Sequence, residues 1–176
     1  MKRLIILLLP TILFATPAQV MIIRNAETPT DATSTISLKG RERAAAFTQY
    51  FKGAPEVNFY GLPVAMYVGR DANETAQTLQ PLAESIDVSL NSGFGKNEVS
   101  QLSREILSHT DYEGHAILVC WPAENIPQLA KNLGAKNSPK KWDTKEYDRI
   151  WILTFSDEGE VTFKNHPQKL LYGDSK

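Results

Sequence analysis

Gln19-Val20-Met21-Ile22-Ile23-Arg24-Asn25-Ala26-Glu27-Thr28 is an apolar run that stops abruptly in a charged and polar tip. A strand covered by helices on both faces reads this way, and its carboxyl end delivers side chains to a ligand site. The stretch is therefore read as the first strand of an α/β domain, with Arg24, Asn25 and Glu27 at its tip as candidate ligand-binding residues.

Working outward, residues 29–36 are small and polar, as expected of a loop over that tip. Ser37 offers an N-cap, and Ala44, Phe47 and Phe51 recur at helical spacing up to Gly53, which predicts an amphipathic helix. Val64-Ala65-Met66-Tyr67-Val68-Gly69 predicts a second strand, followed by a helix over 72–86 in which Asp71 and Glu74 have capping-box spacing. A short third strand over 87–90 and a helix over 97–108, with Val99, Leu102 and Ile106 on one face, come next. Residues 115–121, His-Ala-Ile-Leu-Val-Cys-Trp, repeat the buried-strand signal, and Asn125, Pro127 and Gln128 open a helix that Gly134 closes. Residues 135–146 read as an exposed loop, and the runs 147–155 and 160–163 flank a glycine-containing turn as a hairpin.

The chain has 176 residues, of which 42% are hydrophobic, and 19 Lys and Arg stand against 20 Asp and Glu. Such a chain makes one domain with a sizeable core, and its balanced charge argues against nucleic-acid binding. Lys2-Arg3, the apolar residues 4–14 and the small residues of 15–18 read as a secretory signal peptide, too short in its apolar run to span a bilayer. The expected organisation is a signal peptide over 1–18 and a domain over 19–176, exported to the periplasm or the extracellular space. Cleavage is placed after Ala18, with Ala15 as the second choice. Cys120, the only cysteine, has no partner for an internal disulfide and reads as a buried thiol.

Several separate blocks resemble the histidine phosphatase (phosphoglycerate mutase-like) superfamily. Arg24-Asn25-Ala26-Glu27 resembles the tetrapeptide that ends its first strand, Arg-His-Gly-Glu or Arg-His-Ala-Glu, whose histidine is the nucleophile. Ser37 to Ala44 resembles its first helix, Gln77-Thr78-Leu79-Gln80-Pro81-Leu82-Ala83 its Gln-Thr-x-x-Pro-Leu-Ala signature, and residues 118–134 a strand and helix in which Trp-x-His-Gly-x-Ile-Pro carries the second histidine. The tail from His166 to Asp174 resembles the end of bacterial members. The resemblance implies a three-layer α/β/α fold with a mainly parallel sheet.

It also sets out the chemistry such a site needs: a neutral imidazole to attack phosphorus, two arginines and a second histidine to hold the phosphoryl oxygens, and an acid for the leaving group. Arg24 is retained and suits an anion. The nucleophile position holds Asn25, whose amide lone pair is delocalised; the second histidine position holds Ala123, and the second arginine position holds Glu74. Glu124 brings a further carboxylate to the mouth, where one about 5 Å from a phosphate costs about 3 kcal/mol at an effective dielectric of about 20. Alternatively, Glu74 pairs with Asp71 as a cap and Glu124 complements the dipole of the next helix. Glu98 lies where a general acid belongs but reads equally as part of a solvated helix face. His115 stands six residues before Trp121, about 20 Å from the tip, and His109 and His166 read as surface or structural.

The expectation is an exported pseudo-phosphatase that acts by binding. Its candidate ligand-binding set is Arg24, Asn25, Glu27, Glu74 and Glu124, with no catalytic residue, metal or cofactor assigned. The expected partner is a small anionic or phosphorylated ligand held through Arg24, or a protein, and neither a nucleic acid nor a membrane after signal removal. The alternative is an active phosphatase or other hydrolase on the same fold, using Glu27, Glu74 and Glu124 as acid and base groups or cation ligands.

Overall fold

β1 (Gln19–Arg24) is buried along its whole length and lies inside a six-stranded sheet of order β3-β2-β4-β1-β5-β6. The computed structural model describes residues 16–30 and 35–175, so the proposed signal segment before Thr16 and part of the loop after β1 lie outside the described residues. β1 pairs in parallel with β4 (Ala116–Trp121), which pairs in parallel with β2 (Ala65–Val68), which in turn pairs in parallel with β3 (Leu90–Asn91). On the other side β5 (Arg149–Phe155) pairs antiparallel with β1, and β6 (Val161–Pro167) pairs antiparallel with β5 to complete the expected hairpin at the sheet edge.

The alternation of the strands sorts their side chains onto two helical layers. Met21 and Ile23 of β1 and Leu118 and Cys120 of β4 pack with Phe47 and Phe51 of α1 (Leu38–Gly53), Val57 of α2 (Pro55–Asn58) and Leu79 and Leu82 of α3 (Asn73–Ile86). Val20, Ile22, Val119 and Trp121 face Leu102 and Ile106 of α4 (Val99–Ser108) and Ile126 and Leu129 of α5 (Ile126–Asn132). Both faces of the sheet are thus covered, which is why β1 and β4 carry no polar alternation. The result is the anticipated three-layer α/β/α architecture.

Three local expectations are corrected. The third strand begins only at Leu90, because Asp87 closes α3 in a left-handed conformation at φ 56° and redirects the chain. The capping box at α3 is not made: Ala72 is the cap, and the Asp71 carboxylate accepts from the Lys96 backbone amide at 2.8 Å. Asn125 does hold the N-cap position of α5, but its side chain makes no capping bond and its amide donates instead to Asn97 Oδ1 at 3.3 Å, while Pro127 sits in the first turn as expected.

Thr16–Ala18, the last residues of the proposed signal segment, are stitched into the sheet. Ala18 donates to His115 O at 2.9 Å and accepts from Phe155 N at 3.0 Å, Thr16 O accepts from Gly114 N at 3.2 Å, and Pro17 bridges Glu113. A mature chain starting at Gln19 loses these bonds. It is expected to unfold about 1 to 3 kcal/mol more easily in urea than one starting at Thr16, at about 1 kcal/mol per net hydrogen bond.

Candidate functional site

The carboxyl ends of the parallel strands gather the candidate residues at one edge of the sheet. Arg24 ends β1 in register with Trp121, which ends β4, so Asn25 to Glu27 and Pro122 to Glu124 leave the sheet side by side. Glu74, in the first turn of α3, joins them through the loop after β2. Thr78, one turn further along, accepts from the Ala26 backbone amide at 2.8 Å and donates to Glu74 O at 2.7 Å, which fastens α3 to the tip of β1.

Arg24 is 9% exposed. Its Nε donates to Asn25 O at 3.3 Å, its Nη1 to Thr144 O at 2.8 Å, and the Tyr147 ring centroid lies 3.8 Å from the guanidinium carbon. The segment 135–146 is the expected, largely exposed loop, and through the Thr144 carbonyl, with Tyr147 just after it, it lies against the tip of β1. It is anchored by Trp142, which stacks on Trp151 at 4.9 Å and donates from its indole nitrogen to Glu146 O at 2.8 Å. Burial draws the Arg24 pKa below the ordinary arginine value, while Tyr147, Cys120, Glu27 and Glu124 pull the other way. Sequence reasoning missed Thr144 and Tyr147; the signal was two aromatic residues, Trp142 and Tyr147, in an otherwise polar stretch.

Asn25 is 7% exposed and turns its amide back onto Ala26 O at 3.0 Å. Glu27 presents both carboxylate oxygens to Arg43, at 2.8 and 3.0 Å, and lies 3.5 Å from Lys39. Arg43 is almost wholly buried and also grips both oxygens of Asp174, at 2.7 and 3.0 Å. Asp174 in turn accepts from the Leu170 and Leu171 amides at 2.8 and 2.9 Å. Burial alone would raise both carboxyl pKa values, but the hydrogen bonds and charge of Arg43 outweigh it and hold Glu27 and Asp174 below their ordinary range. A carboxyl so held is a poor proton donor near neutral pH. Glu27 is thus committed to an Arg43-centred clamp that ties the tail to the first helix.

Ala123 is packed into the core behind α5. Glu124 is exposed on the rim, and Glu74 is half-buried. Glu74 and Arg24 bear in opposite senses on the Cys120 thiol, whose pKa burial pushes well up. Glu98 accepts from Gly95 N at 2.7 Å and lies 3.2 Å from the exposed Arg70, so it fixes the loop before α4. His115 accepts through its carbonyl from the Ala18 and Gln19 amides, at the opposite end of the strand. His109 stacks on Tyr112 at the end of α4, and His166 meets Glu56 at 2.9 Å. No histidine is a described contact of Arg24 or Asn25. Among the described residues, no group of three or more His, Cys, Asp or Glu is arranged to hold a metal ion.

No protein-family model matches the chain, and no curated protein matches it. Solved structures do share its fold. A protein histidine phosphatase SixA complexed with tungstate matches with a TM-score of 0.66 at 17% identity, over 85% of this chain and 97% of that one. A putative α-ribazole-5′-P phosphatase from Escherichia coli matches with a TM-score of 0.62 at 10% identity, over 89% and 98% of the two chains. A phosphoglycerate mutase from Plasmodium falciparum gives 0.58 at 14% identity, over 92% and 98%. At these identities the likeness establishes a fold, which is that of the phosphoglycerate mutase-like phosphatases.

Proposed function

We propose that this chain is an exported histidine-phosphatase-fold protein that has lost phosphoryl transfer and acts by binding. The observation that carries the reading is Asn25, which occupies the tip of β1 with its amide turned onto the Ala26 carbonyl and no imidazole beside it. Phosphoryl transfer through a covalent intermediate here needs a nitrogen with an available lone pair, and the amide nitrogen of Asn25 has its lone pair delocalised into the carbonyl. Ala123 and Glu74, at the other two positions where the resemblance implies phosphate ligands, offer no positive charge. Export is supported by the basic, apolar and small-residue order of residues 1–18.

Arg24 remains the one strong anion-binding group at the tip, but its guanidinium already holds Thr144 and Tyr147. A phosphate or other anion reaches it by displacing that segment. The rival hydrolase, with Glu27, Glu74 and Glu124 as acid and base groups, is opposed by the engagement of Glu27 with Arg43. The test is capture of a covalent intermediate: incubation of the mature protein with excess aryl phosphate, followed by intact-mass measurement. The expected mass is unchanged; a phosphoryl adduct on any residue overturns the reading.

A further inference from the structure

We propose that the cleft between α5 and the turn after it binds a small anion carrying several negative charges, at a place separate from Arg24. The cleft has a volume of about 770 Å³ and is walled by Lys131, Lys136 and Lys140, with Glu124 as the one acid in its lining. That volume lies within the roughly 300–1,000 Å³ of small-molecule sites. None of the ion pairs among the described residues involves these lysines. Three cations against one carboxylate leave two units of positive charge in one concavity, on a chain whose net charge is −1. The attraction is therefore local to the cleft.

The wall is also built in advance. Gly134 N donates to Lys131 O at 3.0 Å, Ala135 N to Ala130 O at 2.9 Å and Lys136 N to Gly134 O at 2.9 Å, while Ser138 Oγ donates to Ala135 O at 2.9 Å. Gly134 takes φ 98°, and a Cβ there would lie 2.9 Å from Val161 Cγ2, so glycine alone fits this turn against β6. The turn that carries Lys136 is thus fixed to the helix that carries Lys131, with Lys140 two residues beyond its last anchored residue, Ser138, which lowers the ordering cost of binding. A lysine ammonium is a point charge that takes phosphate or carboxylate alike.

Calorimetric titration of the mature protein with tripolyphosphate and with citrate, at low salt, tests the assignment. Binding of either probe is expected, and the preferred one tells phosphate from carboxylate chemistry. Joint Lys131→Gln, Lys136→Gln and Lys140→Gln substitution should weaken binding at least tenfold, and joint substitution to Arg should preserve it. These side chains lie on the surface, and an unchanged melting temperature confirms that the variants fold. Failure of both probes to bind at millimolar concentration overturns the proposal, as does equal binding by the glutamine variant. Loss of binding in Arg24→Ala with retention in the glutamine variant also overturns it, by moving the anion to the tip of β1.

Discussion

Replacing Arg43 with methionine lowers the unfolding free energy by about 3 to 5 kcal/mol at neutral pH, measured by urea denaturation. The substitution keeps an unbranched apolar stem but removes the donors that hold Glu27 and Asp174, each within 3.0 Å. Two carboxylates, with side chains 12% and 5% exposed, are then left with only the half-exposed Lys39, 3.5 Å from Glu27, as a cation. The loss depends on pH with a definite sign. Both carboxyl groups have folded pKa values below their ordinary 4.5 and 3.8, so their contribution is complete above those values and is lost as pH falls through the lower, folded ones. In the variant, protonation instead relieves the unpaired charges. The gap between wild type and Arg43→Met therefore narrows as pH drops below about 4; a gap that stays constant from neutral to acid pH would show that the clamp is not electrostatic.

Gly40→Ala has the second large effect, for a steric reason. A Cβ at this position would lie 2.3 Å from Glu27 O and 3.0 Å from Ile36 Cβ, and the first of these is backbone that cannot swing away. The same carbonyl accepts from Ser37 N at 2.7 Å, the bond that seats the start of α1 on the tip of β1. An alanine inside a helix gains about 1 kcal/mol over glycine, but overpacking against backbone and a strained hydrogen bond cost more. The net expectation is a destabilisation of about 2 to 3 kcal/mol. Gly53 closes the same helix with nothing within 4 Å of its would-be Cβ, so Gly53→Ala should be neutral or mildly stabilising. Equal effects of the two substitutions would contradict the close approach of α1 to Glu27.

The fold was legible because the strands that matter are buried on both faces. Residues 20–23 and 116–121 each read as an unbroken apolar run bounded by polar residues, and they pair directly at the centre of the sheet. Parallel neighbours of this kind require helical crossovers, and the periodicity of Phe47 with Phe51 and of Leu102 with Ile106 supplied the helices. Short elements were less legible. Asp87 in the left-handed conformation delayed β3, and four-residue α2 has too few residues to show a period.

At the candidate site, strand order and register bring Arg24 beside Trp121, so the two strand ends that the sequence marks lie together. What they bond to was not legible, since the partners come from far along the chain. Thr144 lies 120 residues from Arg24 and Asp174 lies 131 residues from Arg43. One local clue existed for the second of these. Arg43 stands four residues before Phe47 and eight before Phe51, on the face of α1 that turns inward. A charge on a buried helical face requires a partner, and the tail supplies it.

The central claim, that the tip of β1 no longer transfers phosphoryl groups, is tested most directly by hydrolysis of an aryl phosphate from acidic to neutral pH, with Arg24→Ala as the control. The account predicts release of the phenol at the uncatalysed rate, identical for wild type and control. Turnover by the wild type that disappears in Arg24→Ala would contradict it and would require a nucleophile other than an imidazole at position 25.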